Sequence, residues 1–133
     1  MYTIGKTFTF CAGHHLLNLP DSHPCSRVHG HNYTVEVVFQ SRELDDKGMV
    51  IDYREISEVV KEIIDKRYDH RDLNEVLSNT NADSRTIYQG KEISPTAENL
   101  AREIYVLVKI KLPGLVRVRV SETQTSWAEY SPT

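Results

Sequence analysis

Apolar and polar residues alternate from Tyr2 to Phe10: Tyr2, Ile4, Phe8 and Phe10 fall on one parity, and Thr3, Thr7 and Thr9 on the other. A period of two built from aromatic and β-branched residues predicts a strand with one buried face. The same pattern returns from about His31 to Gln40, where Tyr33, Val35, Val37 and Phe39 alternate with Asn32, Thr34 and Glu36. Between the two strands lies an irregular stretch, Gly13 to Val28, that holds Pro20, Asp21, Ser22 and Pro24. Irregular segments held by a rigid scaffold often carry function.

Asp45-Asp46-Lys47-Gly48 predicts a turn, and Met49-Val50-Ile51 a short apolar strand after it. Asp52, with Glu55 three residues on, has the form of a capping box, and Ile56, Val59, Val60, Ile63 and Ile64 then recur at helical spacing. A helix is expected from about Tyr53 to Lys66. A second should start near Ser94-Pro95-Thr96-Ala97-Glu98, with Leu100, Ile104, Leu107 and Val108 as its apolar stripe and Pro113-Gly114 ending it. Val116, Val118 and Val120 alternate with Arg117, Arg119 and Ser121, which predicts another half-buried strand, and Trp127 to Tyr130 a short last one. Ser78 to Lys91 is polar and is expected to be a loop. The order strand, strand, helix, loop, helix, strand, strand points to an α+β fold: an antiparallel sheet with both helices on one face. No internal repeat and no low-complexity tract interrupts it.

The 133 residues suit a single domain spanning 1–133. Hydrophobic residues make up 39% and charged ones 26%, which excludes a disordered tail. The net charge of −3 argues against nucleic acid as a partner, and no apolar run is long enough to cross a membrane. Met1 to Lys6 has neither the basic nor the apolar region of a secretory leader. Cys11 and Cys25 are too few for a disulfide scaffold, so a reducing cytoplasmic location is expected. Histidine is unevenly spread, with five of the six between His14 and His31.

His29-Gly30-His31 is the centre of that cluster. Alternate side chains of a strand share a face, about 6–7 Å apart at the backbone, so both imidazoles can point the same way. His14 lies at the end of the preceding strand, and a connection that doubles back brings it beside them. Three imidazoles and one open position form the ligand set of a catalytic zinc site, whereas Cys25 as a fourth ligand would make a closed structural one. A surface or core-satisfied pair is the bland alternative for His29 and His31. His15 is on the opposite parity from His14, facing solvent or donating behind a ligand, and His23 reads as a polar loop residue. As a thiolate beside a cation, Cys25 could also serve as a base, while Cys11, inside a strand, is expected to be a small buried hydrophobe. Asp69-His70 is either a carboxylate-oriented imidazole suited to proton transfer or a loop and helix-cap pair.

Phe8-Thr9-Phe10-Cys11-Ala12-Gly13-His14, Cys25-Ser26-Arg27-Val28-His29-Gly30-His31-Asn32, Asp69-His70-Arg71-Asp72-Leu73-Asn74, Pro95-Thr96-Ala97-Glu98-Asn99 and Ser121-Glu122-Thr123 occur in that order. Together they resemble the 6-pyruvoyl-tetrahydropterin synthase family over nearly the whole chain. The Cys-x-x-x-His-Gly-His spacing is similar to the 6-carboxy-5,6,7,8-tetrahydropterin synthase branch of the queuosine pathway. The pyruvoyl-forming branch generally places its cysteine farther upstream, and a folate-pathway branch has a glutamate instead. Gly13 in place of a common Ala, His15 after the first histidine and a long Ser78–Lys91 loop depart from the family pattern.

The resemblance implies a tunnelling fold, a four-stranded antiparallel sheet with two helices on one face. Subunits of that fold close into an oligomeric barrel as trimers, and two trimers stack into a homohexamer with active sites at subunit interfaces. It implies a lyase acting on a small-molecule pterin triphosphate, 7,8-dihydroneopterin triphosphate, and releasing 6-carboxy-5,6,7,8-tetrahydropterin, acetaldehyde and triphosphate. By the same resemblance His14, His29 and His31 hold Zn2+, Cys25 is the base, and His70 oriented by Asp69 completes proton shuttling. Glu122 anchors the pterin through two parallel hydrogen bonds, with an exposed strand-end charge as the alternative. Thr96 and Glu98 are further pterin contacts or helix caps, and Arg27, with Lys6 as a weaker candidate, meets the triphosphate. Two rivals stand beside this reading: triphosphate elimination alone, as in 6-pyruvoyl-tetrahydropterin synthase, and a non-catalytic zinc-binding module closed by Cys25.

Overall fold

The two alternating segments pair with each other along their full length. In the computed structural model, which describes residues 1–77 and 92–133, β1 (Tyr2–His14) and β2 (His29–Ser41) are antiparallel, from Tyr2 opposite Ser41 to His14 opposite His29. The chain continues through α1 (Tyr53–Arg67), α2 (Leu73–Val76) and α3 (Ala97–Lys111) to β3 (Leu115–Ser121) and β4 (Ala128–Tyr130). The sheet is four-stranded in the order β1-β2-β3-β4, with every neighbouring pair antiparallel.

Parity decides the two faces, as the alternation predicts. Phe8, Phe10 and Ala12 of β1 and Tyr33, Val35, Val37 and Phe39 of β2 are buried. They form one core with Ile56, Val60 and Ile64 of α1 and Leu100, Ile104 and Val108 of α3. Each fully buried side chain of this size contributes about 1.5–3 kcal/mol over leaving it in water. Both long helices therefore cover the same face, α1 against β1 and α3 against β3 and β4. Thr3, Thr7, Thr9 and Cys11 point to the uncovered face and are exposed. Since a slip of one residue exchanges the two faces, the register that buries Phe10 also decides where the histidines point.

Caps close the helices as expected, with small differences. Asp52 Oδ1 accepts from the Arg54 N–H at 2.8 Å, and α1 runs one residue further than Lys66. Thr96 is the cap of α3, its hydroxyl accepting from the Asn99 N–H at 3.2 Å. Pro95 therefore stands before the cap, not in the first turn. Two expectations are corrected. Met49-Val50-Ile51 is not a strand; Val50 and Ile51 pack against the core as an irregular approach to α1. Cys11 is not buried, because it lies on the same parity as Thr9 and so on the open face. Strand β1 runs past the alternating Tyr2–Phe10 segment to His14, the residue expected at its end, since Cys11 to His14 find ladder partners in His29 to Asn32. The expected Ser78–Lys91 loop lies outside the described residues.

Candidate metal centre and adjoining clefts

The register of β1 and β2 assembles the histidine cluster. His14 is opposite His29, Ala12 is opposite His31, and all three imidazoles project to the helix-covered side at one end of the sheet. Their nearest ring nitrogens lie within 4.8 Å of one another. Beneath them Phe10 and Tyr33 stack with centroids 4.9 Å apart, and the Tyr33 ring meets His31 edge-on at 5.5 Å. The aromatic floor keeps water from below and fixes the rings above it.

Hydrogen bonds behind the rings decide which nitrogens face inward. His14 Nδ1 lies 2.7 Å from the Pro95 carbonyl oxygen, and His29 Nδ1 lies 2.7 Å from that of Arg27. A carbonyl only accepts, so each Nδ1 carries the proton and each Nε2 presents a lone pair. Those two Nε2 atoms are 3.0 Å apart. Two lone pairs at that distance repel unless a cation or an extra proton lies between them. Burial, first of all, holds the His14 pKa below its ordinary 6.5, outweighing the raising effect of the Pro95 carbonyl, so the extra proton is disfavoured. His31 Nε2 is buried and has no hydrogen-bond partner. A divalent ion satisfies all three atoms at once. Zinc–imidazole bonds of about 2.0–2.1 Å set tetrahedral nitrogens roughly 3.3 Å apart, a spacing this cluster brackets. Among the described residues Cys25 is outside this group, so the ligand atoms that converge are those of the three histidines, which could hold a metal ion.

Two clefts flank the cluster. On one side, Thr96, Ala97 and Glu98 at the start of α3 face Glu122, Ser126, Trp127 and Glu129 across a cleft of about 720 Å3. Glu122 follows the last residue of β3, and its Oε2 is 3.6 Å from His31 Nε2. The sequence-predicted Glu122, Thr96 and Glu98 are thus brought together beside the histidines. The Thr96 hydroxyl also caps α3, so both readings of that residue hold at once. Burial and the Glu122 charge push the Tyr33 phenol well above its ordinary range, so it stays neutral beneath the site.

On the other side, a cleft of about 560 Å3 is walled by Cys11, His29, His31, Asn32, His70 and Arg71. Asp69 and His70 form the expected pair, with His70 Nδ1 3.0 Å from Asp69 Oδ1. The main chain of β1 holds them in place. The Cys11 N–H donates to Asp69 Oδ1 at 3.0 Å, His70 N–H donates to the Cys11 carbonyl at 2.6 Å, and Gly13 N–H donates to that of Arg71 at 3.1 Å. The Cys11 N–H first and His70 second hold the Asp69 carboxyl below its usual pKa. His70 sits at φ +59°, a left-handed conformation uncommon outside glycine, and its side chain is 80% exposed.

The remaining candidates are placed elsewhere. Cys25 is half-buried in a one-turn helix, Pro24–Ser26; its N–H donates to His23 Nδ1 at 3.1 Å and its carbonyl accepts from Leu16 N–H at 2.7 Å. It forms part of neither cleft wall. Arg27 serves the cluster through its carbonyl, while its side chain is exposed. Lys6 is tied to the Ser57 hydroxyl under α1. His15 is held by Asn74, which accepts from its N–H at 2.9 Å. Sequence reasoning passed over Pro95, Trp127 and Arg71. Arg71 had a signal, since it directly follows the Asp69-His70 pair; the Pro95 carbonyl had none.

The chain matches the family model described as 6-pyruvoyl tetrahydropterin synthase over residues 3–133. It is 34% identical over 124 residues to the 6-carboxy-5,6,7,8-tetrahydropterin synthase of Bacillus subtilis, covering 89% of this chain and 77% of that protein. With the Synechocystis protein of the same name it shares 33% over 135 residues, covering 98% and 93%. The 6-pyruvoyl tetrahydropterin synthase structure from Caenorhabditis elegans superposes with a TM-score of 0.79 at 25% identity, covering 99% of this chain and 96% of that one. Among the described residues no helix is long and apolar enough to cross a membrane. A strand register that gathers three imidazoles beside a carboxylate-bearing cleft, and relatives that match it nearly end to end, agree on one assignment: the chain belongs to the 6-pyruvoyl tetrahydropterin synthase family.

Proposed function

We propose that the protein is a zinc-dependent carbon–carbon lyase that converts 7,8-dihydroneopterin triphosphate to 6-carboxy-5,6,7,8-tetrahydropterin, acetaldehyde and triphosphate, in the cytoplasmic supply of 7-deazapurines such as queuosine. The observation that carries this reading is the set of three convergent imidazoles with Glu122 at 3.6 Å and a cleft opening beside it. His14, His29 and His31 hold the zinc ion. Bound there, Zn2+ supplies Lewis acidity that makes a substrate side-chain hydroxyl easier to deprotonate.

The rest is work for the chain's own groups. Glu122 accepts two parallel hydrogen bonds from the 2-amino and N3 edge of the pterin, and Thr96 and Glu98 face the same ring from the start of α3. Cys25, which lies beyond both cleft walls of the single chain, serves as the base that removes a side-chain proton. His70, aligned by Asp69, returns a proton from the other side, since isomerisation and carbon–carbon cleavage need an acid and a base on separate groups. Arg27 meets the triphosphate. A homohexamer of two trimers, in which neighbouring subunits close the open strand edges, belongs to the same proposal.

Product analysis tests the reading. Incubation with 7,8-dihydroneopterin triphosphate should release acetaldehyde and triphosphate in equal amounts. Triphosphate without acetaldehyde would assign the pyruvoyl-forming reaction, and neither product would leave a zinc-binding module.

A further inference from the structure

Trp127 is the chain's only tryptophan, and 57% of its surface is exposed. Its large apolar face is left in water unless a ligand or a partner covers it. Its surroundings separate the two. Trp127 lines the cleft that holds Glu122, Thr96 and Glu98. The Arg119 guanidinium carbon lies 3.7 Å from the ring centroid. Arg119 is itself fastened to Glu129 Oε1, by Nε at 3.3 Å and Nη2 at 3.2 Å. Arg119 is not part of the cleft wall, whereas Trp127 is. The cation thus covers the indole from one side, and the same ring lines the cleft. A ring held this way has its orientation set before a ligand arrives, which lowers the ordering cost of binding.

From this geometry we infer that Trp127 is the stacking wall of the cleft, receiving a flat, bicyclic, 2-amino-4-oxo heteroaromatic ring whose guanidine-like edge is held by Glu122. This rests on the proposed pterin reading and adds a specificity-determining residue to it. A carboxylate reads the edge of such a ring, and an aromatic face reads its plane.

The full-length zinc-loaded protein is titrated with neopterin, which lacks the triphosphate leaving group, and followed by calorimetry and by tryptophan emission. In the wild type emission should be quenched saturably with the calorimetric Kd. Trp127→Ala should bind about tenfold more weakly, within the span of about 5- to 140-fold for base–aromatic stacking, while Trp127→Phe should stay within about threefold. Turnover of Trp127→Ala should show a raised KM with kcat nearly unchanged, and zinc content and assembly should match the wild type. Trp127→Ala binding within twofold of the wild type, or calorimetric binding without a change in emission, overturns the stacking wall. So does a Trp127→Ala whose assembly changes while its affinity per folded chain does not. No binding to the wild type overturns the pterin reading and the wall with it. Loss of binding in Glu122→Gln but not in Trp127→Ala keeps the reading and sinks the wall alone.

Discussion

Glu103 offers the sharpest test of how the helices are held, because a carboxylate with 0% exposure sits in the apolar face of α3. Its Oε1 accepts from Arg67 Nε at 2.7 Å and from the Tyr68 hydroxyl at 2.5 Å, joining α3 to the end of α1. Burial pulls the Arg67 guanidinium towards losing its proton, but the Glu103 hydrogen bond and charge outweigh it and hold the charge firmly. Burial, then Glu103, raises the Tyr68 phenol well above its ordinary value, so it remains a donor. Glu103→Ala would leave a guanidinium whose side chain is only 9% exposed, and a buried hydroxyl, without that acceptor. Breaking a buried pair from one side costs about 3–5 kcal/mol, or about 10²- to 10⁴-fold in the folded-to-unfolded ratio. With a urea slope of about 2 kcal/mol per molar, the midpoint should fall by about 2 M. Urea unfolding of the zinc-loaded protein by far-ultraviolet dichroism measures it. Replacing the three described groups, as Arg67→Met, Tyr68→Phe and Glu103→Leu, should recover much of the loss, since the Glu103 and Arg67 charges are then removed together. A Glu103→Ala midpoint within about 0.5 M of the wild type, roughly a quarter of the expected shift, or a triple variant no better than the single one, refutes the reasoning.

Three further outcomes follow from the site. His31→Ala should lower zinc occupancy on dialysis against a weak chelator, with affinity down at least about tenfold; unchanged metal by elemental analysis would remove His31 from the ligand set. Cys25→Ala should keep its zinc and assembly while turnover falls by at least ~100-fold, the scale of a general base, and full turnover in that variant would take Cys25 out of the mechanism. The third concerns acid. Because burial lowers the His14 pKa below 6.5 in the fold, the unfolded chain binds the extra proton first. The stability that neutral His14 provides is complete above pH 6.5 and is lost as pH falls from there towards the lowered folded value. Metal-free wild type should therefore lose more thermal stability between pH 7.5 and about 5.5 than metal-free His14→Gln; an equal loss in both would show that His14 does not contribute.

Much of this was legible in the chain, and the exceptions have physical causes. Period two along Tyr2–Phe10 and His31–Gln40 specified the sheet faces because one face is buried, which is what makes the alternation informative. His29-Gly30-His31 was legible for the same reason: shared parity puts both imidazoles on one side. The exposure of Cys11 was available from that logic too, since it shares the parity of Thr9, but its residue type suggested burial. Met49-Val50-Ile51 misled because three apolar residues satisfy a strand pattern without any neighbour to pair with. Glu103 and Arg67 are 36 residues apart, and nothing local marks their meeting. The Pro95 carbonyl behind His14, 81 residues away, was invisible for the same reason, as every backbone carries one.

The fastening of Asp69, His70 and Arg71 to β1 has a consequence for how this protein can diverge. All three links run to peptide groups of Cys11 and Gly13, and the Cys11 thiol, which faces Asn32 at 2.9 Å, takes no part in them. Any residue other than proline presents the same N–H and carbonyl at position 11. Sequence drift there leaves the aim of the imidazole at 70 undisturbed, so the Asp69–His70 pair inherits its alignment from the ladder and not from the identity of its neighbour.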